Sequence, residues 1–164
     1  MHRSVTFAAL LLVSSFNAYA AESRSHDFIK EAIEGNLFEV RAGELAQKKA
    51  ASGGVRQFGA MLAKDHANAA TKATSAAKTL GLEPPKSPSK SQQGVLEAMS
   101  RLEGDKFDDN FIKSMIDDHL RDVARYEAHS KGDDAVSKYA GETLPALREH
   151  LKTVQGLQNE RSTR

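Results

Sequence analysis

Residues 28–44 read FIKEAIEGNLFEVRAGE, and residues 111–127 read FIKSMIDDHLRDVARYE. At a constant offset the two runs share Phe28/Phe111, Ile29/Ile112, Lys30/Lys113, Ile33/Ile116, Leu37/Leu120, Val40/Val123 and Glu44/Glu127. Glu34/Asp117 and Glu39/Asp122 keep the acid. Within each run the apolar residues recur three and four apart, the spacing of one helix face. The identities are denser than shared amphipathic periodicity produces. A fainter echo follows each run: Val55-Arg56-Gln57-Phe58 and Val136-Ser137-Lys138-Tyr139. Two runs and two echoes at nearly one offset read as a duplicated helical hairpin.

Working outward, the pattern predicts four main helices. Ser25 is expected to cap the first, starting near His26. Ala51-Ser52-Gly53-Gly54 breaks it. The second carries Val55, Phe58, Leu62, His66, Ala69, Ala73 and Ala76 on one stripe, and Gly81 is its expected C-cap. Residues 82–91 (LEPPKSPSKS) hold three of the four prolines and must be extended. A short helix is expected at about residues 92–102, then a break with Asp105 as N-cap. The third main helix is expected over about residues 106–130 and the fourth over about residues 134–157. Pro145 should kink the fourth without stopping it, because the apolar stripe continues in phase. Two hairpins joined by one long crossover that contains a short helix give an all-α, ferritin-like four-helix bundle. The expected domain plan is a signal peptide at 1–20, the bundle at 21–157 and a frayed polar tail at 158–164.

The chain of 164 residues opens with Met1-His2-Arg3, an apolar run from Val5 to Phe16, and Ala18-Tyr19-Ala20. These are the three parts of a secretory signal, cleaved after Ala20. The run is too short for a bilayer span of about 20 residues. The mature chain is therefore expected in the bacterial periplasm with no membrane span. Losing Arg3 leaves basic and acidic residues balanced. That balance, with no aromatic interleaving of the lysines, argues against a nucleic-acid partner. Zero Cys excludes disulfides, thiolate metal sites and Cys nucleophiles. No P-loop, G-x-S-x-G or H-E-x-x-H occurs, so no enzyme class is indicated.

Bundles of this type build their sites from core-facing polar residues. At about 100° per residue, His119 falls at the centre of the face formed by Phe111, Ile112, Met115, Ile116, Val123 and Tyr126. His66 and His150 lie near the centres of theirs, and Glu39 lies nearer the edge of its own. Each main helix thus offers one candidate ligand: Glu39, His66, His119 and His150. Three imidazoles and a carboxylate suit a transition metal such as Zn, Cu or Fe. The acids Asp65, Asp118, Asp122, Glu127 and Glu149 are candidates for holding the rings from outside. The competing reading is a structural or protein-interaction bundle in which His and acid residues form only an internal polar network. A di-iron centre is third, because the E-x-x-H pattern is absent: Ala63 precedes His66 by three, and Leu147 precedes His150. A homo-oligomer or an envelope protein remains the candidate macromolecular partner.

The combination G-x-L-x-E-V (residues 35–40), Asp65-His66, Asp118-His119 and T-L-P-x-L-x-x-H-L (residues 143–151) resembles the exported domain-of-unknown-function family 4142. The resemblance covers residues 27–157. It implies a ferritin-like bundle and no settled activity, with a role in envelope stress or metal handling as the expectation. Members are often labelled outer-membrane protein, but no barrel-like strand pattern occurs here. This chain has Gly35-Asn36 where the family often has two glycines.

Overall fold

The structure is a computed structural model that describes the backbone of residues 8–163 and the side chains of residues 23–163. The positive start of the expected signal and the first residues of its apolar run, residues 1–7, lie outside the described residues. Five helices follow one another: α1 (Ala8–Lys49), α2 (Gly53–Thr79), α3 (Lys90–Ser100), α4 (Gly104–His129) and α5 (Ala135–Ser162).

α1 and α2 form one hairpin, α4 and α5 the other, and α3 lies in the crossover against α1 and α4. The ends show the direction of each helix. Ala50, just past α1, bridges to Gly104 at the start of α4, while Phe28 stacks on His129 at the far end. Arg161 near the end of α5 returns to Asp105. α1 and α5 therefore run one way and α2 and α4 the other. Phe28 sits in one apolar cluster and its repeat mate Phe111 in the other, and Val55 and Val136 exchange ends likewise. The duplicated hairpins are thus related by a pseudo-twofold axis across the bundle, and residues near the middle of the repeat meet at one level.

Local chemistry sets most of the boundaries. α2 ends in a Schellman motif: Gly81, at φ 70°, donates its N–H to Lys78 O, and Leu82 N–H reaches Ala77 O. Ser89 and Gln92 form a reciprocal capping box, so α3 starts two residues before the expected position. Asp134 caps α5 by accepting from the N–H groups of Val136 and Ser137. Gly43 and Gly59 let α1 and α2 touch backbone to backbone. A Cβ on either residue would collide with the other helix.

Three expectations are corrected. α1 is already helical at Ala8, the first described residue, rather than starting near His26, and Ser25 lies inside it; no Gly or Pro between Ala8 and His26 interrupts the helix. Asp105 is not the N-cap of α4. Glu103 holds that place without a side-chain cap bond, and Asp105 sits in the first turn, where Arg161 binds it. α5 passes Pro145 but does not stop at residue 157. It runs to Ser162, because Arg161 is clamped by Asp105, Asp108 and Asp109. Among the described residues no helix is long and apolar enough to cross a membrane.

The core is split into two apolar clusters. One holds Phe38, Val55, Phe58, Leu62, Phe107, Phe111 and Met115. The other holds Phe28, Ile29, Ile33, Tyr126, Tyr139 and Leu147. Between them, at mid-height, lies a buried layer of Asn36, Glu39, His66, His119 and His150. Five polar side chains between two dry clusters need partners, or they cost free energy.

Candidate metal centre

His66 stands on α2, His119 on α4 and His150 on α5. Their ring centroids form a nearly equilateral triangle: 5.7 Å for 66–119, 5.3 Å for 66–150 and 5.4 Å for 119–150. One nitrogen from each ring lies within 4.8 Å of the other two. No ring is more than 3% exposed.

The outer nitrogens fix the tautomers. His119 Nδ1 lies 2.9 Å from the Met115 carbonyl oxygen. His150 Nε2 lies 3.0 Å from Asp65 Oδ2. His66 Nδ1 lies 2.9 Å from Asn36 Oδ1, and the Asn36 amide donates through Nδ2 to Tyr139 Oη and Ala32 O. A carbonyl, a carboxylate and an amide oxygen can only accept. Each outer nitrogen must therefore carry the proton. The inner nitrogens, His66 Nε2, His119 Nε2 and His150 Nδ1, are left as bare lone pairs. His119 Nε2 and His150 Nδ1 face each other at 3.3 Å, and His66 Nε2 has no hydrogen-bond partner among the described residues. Burial, then His119 and His150, hold the His66 pKa well below its ordinary value. Burial and then His150 lower that of His119 to about 4. His66 and His119 are therefore neutral at neutral pH, the state in which imidazole ligates a metal.

Glu39 does not join the triangle. It sits behind His119, with Oε1 3.8 Å from Nδ1, the nitrogen turned away from the other two rings. It is 1% exposed, and among the described residues no N–H or hydroxyl donates to either oxygen, while Asp118 is close enough to bond the protonated carboxyl. Burial first, then Asp118 and Asp122, push its pKa well up, so the carboxyl holds its proton. Asp122, its repeat mate, is pushed up to about 7 by burial and then by Asp118. The pseudo-twofold axis is what brings these two acids together. Asp118 pairs with Arg121 and lines a cavity of about 290 Å³ between α1, α3 and α4.

Among the acids expected to support the rings, only Asp65 bonds one, and it does so across to another helix. Glu127 pairs with Arg148 and Glu149 with Lys152 at the surface, away from the triangle. Both lie on solvent-facing arcs of their helices. Sequence reasoning missed Asn36, which is four residues after Ala32 and three before Glu39, on the same inward stripe. It also missed the Met115 carbonyl, which has no sequence signal.

The protonated Glu39 leads to a prediction. In the unfolded chain Glu39 loses its proton at its ordinary pKa, whereas the folded chain keeps it to a higher pH. The native state then binds more protons, and stability falls as pH rises through that window. Glu39→Gln keeps the shape without the titration. Its stability relative to wild type should climb as pH rises above the ordinary Glu pKa of about 4.3, read from urea midpoints. A gap that stays constant with pH would show that Glu39 is ionised in the fold.

Fold and site together define an all-α bundle of two duplicated hairpins with a buried histidine–carboxylate layer at its waist. The chain belongs to the family described as domain of unknown function DUF4142, whose profile matches residues 13–157. Two solved structures share the fold. A DUF305 protein from Streptomyces coelicolor, described as secreted, is 14% identical with a TM-score of 0.71, covering 87% of this chain and 96% of its own. A DUF305 fragment from Deinococcus radiodurans is 13% identical with a TM-score of 0.73, covering 84% and 96%. Among curated proteins there is no match.

Proposed function

We propose that this chain is an exported bundle that binds one transition-metal ion through His66, His119 and His150. The observation that carries the reading is the convergence of three bare lone pairs. Three lone pairs facing one point repel one another unless a cation sits among them. A proton could serve only by making an imidazolium, which burial disfavours. Three imidazoles suit Zn, Cu or Fe and leave a fourth position free. Asp65, Asn36 and the Met115 carbonyl act as the outer partners that orient metal-binding rings. Glu39 supplies a neutral carboxyl beside the site. The signal-like start with its Ala18-Tyr19-Ala20 run and the secreted description of one fold neighbour support export; the proposed place is the periplasm, after cleavage at Ala20, and the role metal handling in the envelope.

The 3.3 Å contact between His119 and His150 favours a second reading, an internal network in which one proton bridges those rings. That reading leaves His66 Nε2 unexplained. Elemental analysis decides between them. Protein recovered from the periplasm without a histidine tag should carry one transition-metal ion per chain, and His66→Ala should carry none. Metal-free wild type that also takes up none on titration would establish the network reading.

A further inference from the structure

His66 is the start of a hydrogen-bonded chain that leaves the triangle. Its Nδ1 meets Asn36 Oδ1 at 2.9 Å, Asn36 Nδ2 donates to Tyr139 Oη at 2.8 Å, and Tyr139 Oη meets Tyr126 Oη at 2.9 Å. Both tyrosines are buried, at 4% and 2% exposure. Beyond them Tyr126 touches Phe28 edge-on at 5.0 Å, and Phe28 stacks on the half-buried His129 at 4.1 Å. The path therefore runs from the triangle to the bundle's surface through polarisable groups. Composition makes it unusual. The chain has no Cys and no Trp, and of its three Tyr the first, Tyr19, falls in the expected signal. The mature chain keeps two phenols, and both stand on this one path.

We infer that Tyr139 and Tyr126 are a one-electron reserve for a redox-active ion in the triangle, and that the substrate class is a small peroxide. The inference rests on the metal-binding reading above. The three rings are sealed in the core, so an oxidant that reaches them must be small. In the reaction the O–O bond of hydrogen peroxide breaks. Two electrons enter, one from the reduced ion and one from the tyrosine pair. Two protons enter, one released by the oxidised phenol and one from solvent. The products are two water molecules, the ion oxidised by one electron, and one neutral tyrosyl radical. Without the tyrosines, the second oxidising equivalent would fall on the ligand histidines or on Met115, beside His119.

The test uses the exported protein, loaded anaerobically with Fe(II) and, in a parallel sample, with Cu(I), then mixed with hydrogen peroxide and freeze-quenched. Metal content is measured on the same samples. The expected result is a tyrosyl electron-paramagnetic-resonance signal in wild type. It should be lost in Tyr126→Phe/Tyr139→Phe at unchanged metal content, with new oxidation of Met115 or the ligand histidines by mass spectrometry. Tyr126→Phe alone, which leaves the Asn36 contact intact, should weaken the signal and covers the case in which the double variant does not fold. A loaded ion that peroxide oxidises with no tyrosyl signal from either metal overturns this inference and leaves the metal site standing. A signal that survives the double variant does the same. A chain that binds neither ion overturns this inference, and one that also takes up no Zn(II) overturns the metal site with it.

Discussion

Zn(II) in excess raises the melting temperature of the wild-type protein and leaves His119→Ala where it was. The size of the shift follows from mass action. A ligand at a hundred times its Kd stabilises the native state by about 2.7 kcal/mol, provided that the unfolded chain does not compete for it. For a chain of this size each kcal/mol moves the midpoint by roughly 2–4 °C, so the wild-type shift is about 5–10 °C. His119→Ala removes the ring whose Nε2 faces both other donors and leaves two nitrogens, too few to hold the ion against water. Without metal the variant is also less stable, because the ring is 1% exposed and its removal opens a cavity in the waist of the bundle. Baseline and response therefore separate: the variant starts lower and does not move. Asp65→Asn gives the graded control. It keeps the His150 ring but weakens the oxygen that holds Nε2, and loss of such an outer partner costs about 10–100-fold in affinity. Equal zinc shifts in wild type and His119→Ala would remove His119 from the site.

The duplicated hairpin was legible from the repeat alone, because identity at a fixed offset needs no knowledge of packing. The histidines were legible too, since each sits on an apolar stripe near its helix centre. Ligand and neighbour could not be told apart at Glu39. Angular position on a helix puts Glu39 and the rings in the same layer, but it does not say which face of the His119 ring Glu39 meets. The Met115 carbonyl holds Nδ1 toward that side and settles it. Asn36 was visible only as a departure from the two glycines common in the family, yet its amide fixes the His66 tautomer and opens the path to Tyr139. The tail was misjudged for a related reason. Residues 158–164 are polar throughout, and periodicity gives no hint that Arg161 has three carboxylates waiting on α4.

Those carboxylates lead to the second large effect, Asp108→Ala. Asp108 is fully buried, near one end of the bundle, where all four main helices meet. Its Oδ1 accepts from Ala51 N–H at 3.1 Å, and its Oδ2 from Ser52 N–H at 2.9 Å and Arg161 Nη1 at 3.1 Å. One side chain on α4 therefore satisfies the turn between α1 and α2, which Ser52 does not cap with its own hydroxyl, and also pins the end of α5. Alanine would strand two backbone N–H groups and remove the buried partner of a guanidinium. Stranded groups cost about 1–3 kcal/mol each, and a broken buried pair about 3–5 kcal/mol in total. The expected loss is about 3–5 kcal/mol rather than the sum, because Arg161 keeps Asp105 and Asp109 and can turn toward water. Urea unfolding should show that loss. Arg161→Ala should cost much less, since the two N–H bonds that hold the turn remain. If the two variants proved equally destabilised, the arginine rather than the turn would be the source of the stability, and α5 rather than α4 would be the clasp of the bundle.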